Sequence, residues 1–150
     1  MKAIAVVLDA DDNADASFTL ARDAIRDVLG MDVAEPESWF EEPHTKARVG
    51  VFISGGPDGT GEVESLAWDA WQSDTDNSTL KECVEEFIGC SRKGGLKLQS
   101  LDKVRIGAAL SVLNEDDPRL GAGARAKVFN FDSAQFSALR EFFLELKALL

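Results

Sequence analysis

The first apolar run of the chain ends in three aspartates. Residues 3–13 read AIAVVLDADDN, with Ala3 to Leu8 apolar and Asp9, Asp11 and Asp12 directly after them. Negative charges this close repel one another unless solvent, a helix N-terminus, a cation or a metal-bound phosphate offsets them. The D-x-D spacing sends Asp9 and Asp11 to the same side of an extended strand end. Hard divalent cations take such oxygen ligands, and Mg²⁺ commonly uses one or two carboxylates and keeps several waters. The plainer alternative is that Asp11, Asp12 and Asp15 solvate and cap the helix that follows.

Further groups fall where a site could form. Ser54 to Gly61 read SGGPDGTG and lead into Glu62 and Glu64. The loop lacks the G-K-[ST] ending of a phosphate-binding P-loop, so its glycines are expected to shape a strand-to-helix turn by supplying positive φ. An EF-hand counted from Asp9 would need Gly at its sixth position and Glu at its twelfth, where this chain has Ala14 and Leu20. Cys83 and Cys90 are seven apart in a helical stretch, about 10 Å along the axis, too far for a mutual disulfide. They are expected as buried or half-buried thiols, and C-x6-C is not a zinc pattern. His44, the single histidine, lies in a loop by composition, and Trp39, Trp68 and Trp71 read as packing residues.

The elements around these residues follow from periodicity. Residues 3–8 and RVGVFISGG, residues 48–56, read as strands buried on both faces. Between them Phe18, Ala21, Ile25 and Val28 recur at helical spacing, with Asp15 as N-cap and Gly30 as C-cap. Strand, helix, strand predicts a right-handed crossover and a parallel pair. Residues 31–48, with two prolines, read as a loop or a short irregular element. A further helix is expected within EVESLAWDAW, residues 62–71, where Val63, Leu66, Ala67 and Ala70 mark a face, and others over about residues 78–89, 101–113 and 133–149, the last starting from an Asp132–Gln135 capping box. AKVFNF, residues 126–131, is a candidate third strand. The fold class is α/β, a small parallel sheet flanked by helices, as one domain over residues 1–150.

Two strands leave sheet edges open. Strands that this reading does not recognise, a homodimer, a partner protein covering the edge, or further strands upstream would close them. No apolar run reaches the roughly 20 residues of a membrane helix, and no signal peptide leads the chain, so no membrane partner and a cytoplasmic location are expected.

The charge is unevenly spread. The net charge of −11 is unlike the basic surface of an ordinary DNA-binding protein. Residues 1–90 hold 6 Lys/Arg and 20 Asp/Glu, whereas residues 91–127 hold 8 Lys/Arg, including Arg92, Lys93, Lys97 and Lys103, against 4 acids. An acidic half followed by a basic segment fits a metal cluster facing an anion-binding surface, or two solvated faces.

Two family patterns share the opening D-x-D. Haloacid-dehalogenase-like phosphatases have Thr or Val after it, where this chain has Asn13. Ser54, Lys97 or Lys103, and Asp116–Asp117 would imitate their remaining motifs, but those acids should follow a strand and here follow a helical stretch. More of the chain resembles an uncharacterised Toprim-like prokaryotic family, distantly related to the OLD-family (overcoming lysogenization defect) nucleases. The resemblance runs through AVVLDADDN, VGVFISGGPDGTGEVESL, LDKVRIGAAL and DPRLGAGARAKVFNFDSAQFSALREFFLEL. It implies a Toprim-like sheet, Mg²⁺ or Mn²⁺ held by Asp9, Asp11 and Glu64, and Lys103 facing a scissile phosphate or the acidic cluster.

Arg92 and Lys93, in the basic segment, would add to substrate binding, with nucleic acid as partner. Toprim domains also carry a glutamate on a strand upstream of D-x-D, which has no counterpart here. A fragment, a shortened relative, or a chain completed by a partner is therefore expected. The functional expectation is metal-dependent, nuclease-like phosphodiester chemistry. The alternatives are a non-catalytic binding or regulatory module on the same scaffold and a haloacid-dehalogenase-like phosphatase.

Overall fold

The computed structural model describes residues 2–55, 59–73 and 78–149. They fall into two compact units, residues 1–63 with 136–150, and residues 64–135.

In the first unit, β1 (Ala3–Asp9) and β3 (Arg48–Ser54) pair in parallel over their full lengths, from Ala3 opposite Arg48 to Asp9 opposite Ser54. Helix α1 (Ala14–Leu29) makes the crossover between them. The loop expected over residues 31–48 contains a short strand, β2 (Trp39–Glu41), antiparallel to β3. The sheet order is β1-β3-β2, so the sheet is mixed and not wholly parallel. A strand of three residues is too short for alternation to register in the sequence, and its burial runs half-buried, half-buried, exposed. Phe40 packs into the core beside Ala21, Ile25, Met31, Val33, Val49 and Val51. Trp39 stacks on Phe142 of the last helix, α6 (Ser137–Leu149), at 5.0 Å.

That stacking explains Gly50. A Cβ there would lie 2.8–2.9 Å from ring atoms of Trp39 and Phe142, so the close approach of the aromatic pair to β3 needs a glycine.

Helix boundaries depart from expectation where capping chemistry decided them. The N-cap of α1 is Asn13, not Asp15; its backbone is extended and its side chain accepts from the Ala16 N–H at 3.0 Å. Gly30 ends the helix in the left-handed conformation, as expected. Helix α6 starts later than residue 133 because Ala134–Phe136 form a 3₁₀ turn first.

The second unit is helical: α2 begins at the end of the first unit (Val63–Gln72), followed by α3 (Ser78–Lys93), α4 (Leu101–Leu113) and α5 (Leu120–Arg125). Trp68 and Trp71 of α2 are buried and lie against each other at 5.4 Å, a packing role. Arg105 of α4 stands over Trp68 and bonds Glu85 of α3 and Asp102 at 2.7 and 2.8 Å. Burial works against its charge, but the two carboxylates prevail and its pKa is raised.

AKVFNF is not a strand. Its amides close α5: the Lys127 N–H bonds Ala124 O and the Val128 N–H bonds Gly123 O, with Lys127 at φ 59°. This is a Schellman termination, and a strand could not use the same donors. Cys83 and Cys90 are exposed, contrary to expectation, because α3 turns Val84 and Ile88 inward instead. Among the described residues no helix is long and apolar enough to cross a membrane.

Candidate functional site at the end of strand β1

Each aspartate of the opening cluster is placed differently. Asp9, the last residue of β1, is half-buried, and its Oδ1 accepts from Ser54 Oγ at 2.8 Å and from the Val63 N–H at 2.9 Å. Ser54 is fully buried, and its hydroxyl also lies 3.2 Å from Leu8 O. Val63 is the first residue of α2, so Asp9 holds a helix-terminal amide that has no partner within the helix. A helix N-terminus also favours a nearby negative charge. This offset was among those the sequence left open. Among the described residues nothing bonds Asp9 Oδ2.

Asp11 leaves the strand in the left-handed region, at φ 49°, which Asp tolerates better than most side chains. Its backbone exchanges two hydrogen bonds with Gly61, at 2.8 and 2.6 Å. Its side chain is exposed, as is that of Asp12, which precedes the helix cap. Gly61 has φ 101° and Gly59 φ 75°, so the glycine loop supplies positive φ as expected, while Gly56, Pro57 and Asp58 lie outside the described residues. Gly55 is confined as well: a Cβ on it would meet Thr60 O at 2.9 Å and Ala10 Cβ at 3.0 Å.

The first unit thus brings together Asp9, Ser54, Gly61 and the Val63 amide at the carboxyl ends of two parallel strands, with Asp11 beside them. Open α/β sheets bind ligands at such strand ends. Sequence reasoning placed Ser54 at this edge but missed its bond to Asp9. The available signal was register, since each residue ends a seven-residue strand of one parallel pair.

Mg²⁺ needs no more than two protein carboxylates, and ligating carboxylates are themselves hydrogen-bonded. Asp9 is anchored through Oδ1, whereas exposed Asp11 is held by its backbone alone. Among the described residues no group of three or more His, Cys, Asp or Glu stands where it could hold a metal.

The other sequence candidates belong to the second unit. Glu64 is half-buried in the first turn of α2. Arg92 and Lys93 are exposed in the last turn of α3, and Lys103 is exposed in the first turn of α4, its amide held by Ser100 Oγ at 3.2 Å. Asp116 and Asp117 follow helix α4, as the sequence indicated, and Arg119 holds the Asp117 carboxyl down to about 2.

The opposite edge of the first unit is built otherwise. A cleft of about 240 Å³ is lined by Gly30, Met31, Asp32, Phe40, Glu41, Glu42 and Pro43. Glu41 pairs with Arg48 at 2.9 Å and Lys46 at 3.2 Å, and its pKa is lowered by Arg48 and then Lys46. Glu42 accepts the Thr45 and His44 amides, chiefly the former, which hold its carboxyl down to about 2. His44 sits in this exposed turn.

Fold and site together define an α/β protein with a small mixed sheet and an acidic strand end. The chain belongs to the family described as Protein of unknown function (DUF3226), matched over residues 1–148. No curated protein and no solved structure matches it.

Proposed function

We propose that Asp9 and Asp11 bind a divalent cation, Mg²⁺ or Mn²⁺, and that the protein is Toprim-like, with nuclease-like phosphodiester chemistry. One observation carries the reading. Asp9 is held by a hydroxyl and an amide, neutral donors that both use Oδ1, so its negative charge has no cationic partner among the described residues. Positioned in this way, the carboxylate is aimed by neutral donors and only partly offset by the α2 N-terminus, so it can still serve a cation.

A bound ion would polarise a phosphoryl oxygen and activate water there. The chain's part is to fix Asp9 through Ser54 and Val63, to present Asp11 on a strained turn, and to offset phosphate charge with basic side chains. Glu64, Lys103, Arg92 and Lys93 enter this reading through the family resemblance. Calorimetric titration with Mg²⁺ and Mn²⁺ tests it, using wild type, Asp9→Asn and Asp11→Asn. Asp9→Asn keeps an acceptor for both donors and removes the charge. Binding that either variant weakens at least about tenfold supports the site; no binding by wild type overturns it. Cation-dependent nucleic-acid cleavage lost in Asp11→Asn and Lys103→Ala then supports the chemistry.

A second reading, a non-catalytic binding module, is favoured by the outer edge of β1. No strand among the described residues pairs there, and Ile4 and Val7 are 45% and 40% exposed. Cation binding without cleavage of any nucleic acid would select it.

A further inference from the structure

The outer edge of β1 is apolar and open. The Arg48 N–H bonds Lys2 O and the Ala10 N–H bonds Ser54 O, so even-numbered residues of β1 turn their backbone groups toward β3. Ala3, Ala5, Val7 and Asp9 therefore turn theirs outward, where no strand among the described residues meets them. Exposed edges are commonly blunted by lysine, proline or a bulge, and Ala3 to Leu8 contain none of these.

Helix α1 leaves a second surface uncovered on the same side. Ala16, Leu20, Ala24 and Val28 recur every four residues and are all exposed, Leu20 at 68% and Val28 at 80%. Val28 thus leaves the inward face that spacing predicts for it. The opposite flank of α1 carries Phe18, which packs into the core that also takes Phe40 of β2. The stripe therefore faces away from β2, over the outer edge of β1, as a right-handed crossover requires.

We propose that two copies of this chain pair β1 with β1 antiparallel, about a two-fold axis at Val6, and pack α1 against α1. A two-fold contact must be self-complementary, and three features make this one so. The first is spacing. Helix α1 packs equally on β1 and β3, about half a strand spacing inside the edge. Joining two edges at about 4.8 Å sets the two α1 axes about 10 Å apart, at the upper end of the range for packed helices.

The second is shape. Val6 packs into the core beside Ala21 and Ile25, so an axis through Val6 crosses α1 near Arg22. Leu20 then meets Ala24 of the second copy, and Val28 meets Ala16, large against small. Asp27, the acid beside the stripe, falls opposite Ser17. The third is pairing along the strand. Ala3 comes opposite Asp9 and Ala5 opposite Val7, so every outward backbone group of β1 finds a partner. Lys2 comes beside Asp11 and Asp12 of the second copy, while the two copies of Asp9 stay roughly 20 Å apart. The contact rests on neither the cation reading nor the binding-module reading, and its readouts, mass and amide exchange, are separate from theirs.

Sedimentation and hydrogen exchange test it. Wild type is expected to sediment as a dimer at about 100 µM (on the order of a hundred times a 1 µM dissociation constant), with the Ala3, Ala5 and Val7 amides protected. Leu20→Lys and Ala24→Glu change exposed positions, and each should raise the dissociation constant at least about tenfold and release those amides. Mixing the two variants should restore a heterodimer, because the new ammonium then faces the new carboxylate across the axis. Only a contact with position 20 opposite position 24 does this. A monomeric wild type overturns the proposal, as does a mixture that stays monomeric. A dimer that both variants leave intact, or whose outward β1 amides exchange as fast as in Leu20→Lys, overturns it too.

Discussion

Strand β3 meets a carboxylate at each end, and the two are held in opposite ways. At its start Glu41 is paired with the Arg48 guanidinium and the Lys46 ammonium in an exposed cluster. At its end Asp9 is held by Ser54 Oγ and the Val63 amide, both neutral, beside a fully buried serine. A carboxylate already matched by cations has little left to offer a ligand. One matched by neutral donors is oriented just as firmly and keeps its charge for something else. Of the two ends of one sheet, the second is therefore the candidate site, although the first has the cleft.

The largest effect is expected where the comparison is broken at Asp9. Asp9→Ala strands the Ser54 hydroxyl and the Val63 amide, and should cost about 2–3 kcal/mol in urea unfolding. Ser54→Ala leaves Asp9 one donor and should cost about 1 kcal/mol. If Asp9→Ala unfolds at the wild-type midpoint, the clamp is not holding the strand ends together.

At the other end, pH sharpens the contrast. Glu42 has its carboxyl lowered to about 2 by the Thr45 and His44 amides, against an ordinary 4.5. A depressed folded value means that its contribution is complete above 4.5 and is lost as pH falls through about 2. The melting temperatures of wild type and Glu42→Gln should differ at neutral pH and converge between pH 4.5 and 2. A gap that persists at pH 2 would refute the assignment.

The smallest effect belongs to the Glu41–Arg48 pair. Exposed pairs contribute little and are screened, so the coupling measured by a Glu41→Gln/Arg48→Gln double-mutant cycle should vanish in 1 M salt. The weakening of Mg²⁺ binding proposed for Asp9→Asn should by contrast persist in 1 M salt.

How much of this was legible depended on the range of the interaction. Ala3 to Leu8 and Arg48 to Ser54 announce two buried strands by composition, and the helix between them makes them parallel, because a single crossover has one favoured hand. Gly30 is a C-cap readable from local conformational freedom. The Asp cluster is legible as chemistry because unbalanced like charges need an explanation wherever they fall.

Tertiary contacts settled the rest. Trp39–Glu41 is a strand because β3 offered an open edge and Phe142 a ring to stack on. AKVFNF is not one because α5 claimed its amides. Cys83 and Cys90 face solvent because Val84 and Ile88 took the inward positions, a choice between neighbouring stripes of one helix that periodicity alone leaves open. The partners of Asp9 lie 45 and 54 residues away along the chain. Composition and spacing place a charge at the end of a strand; only the folded register decides whether a cation or a neutral donor meets it.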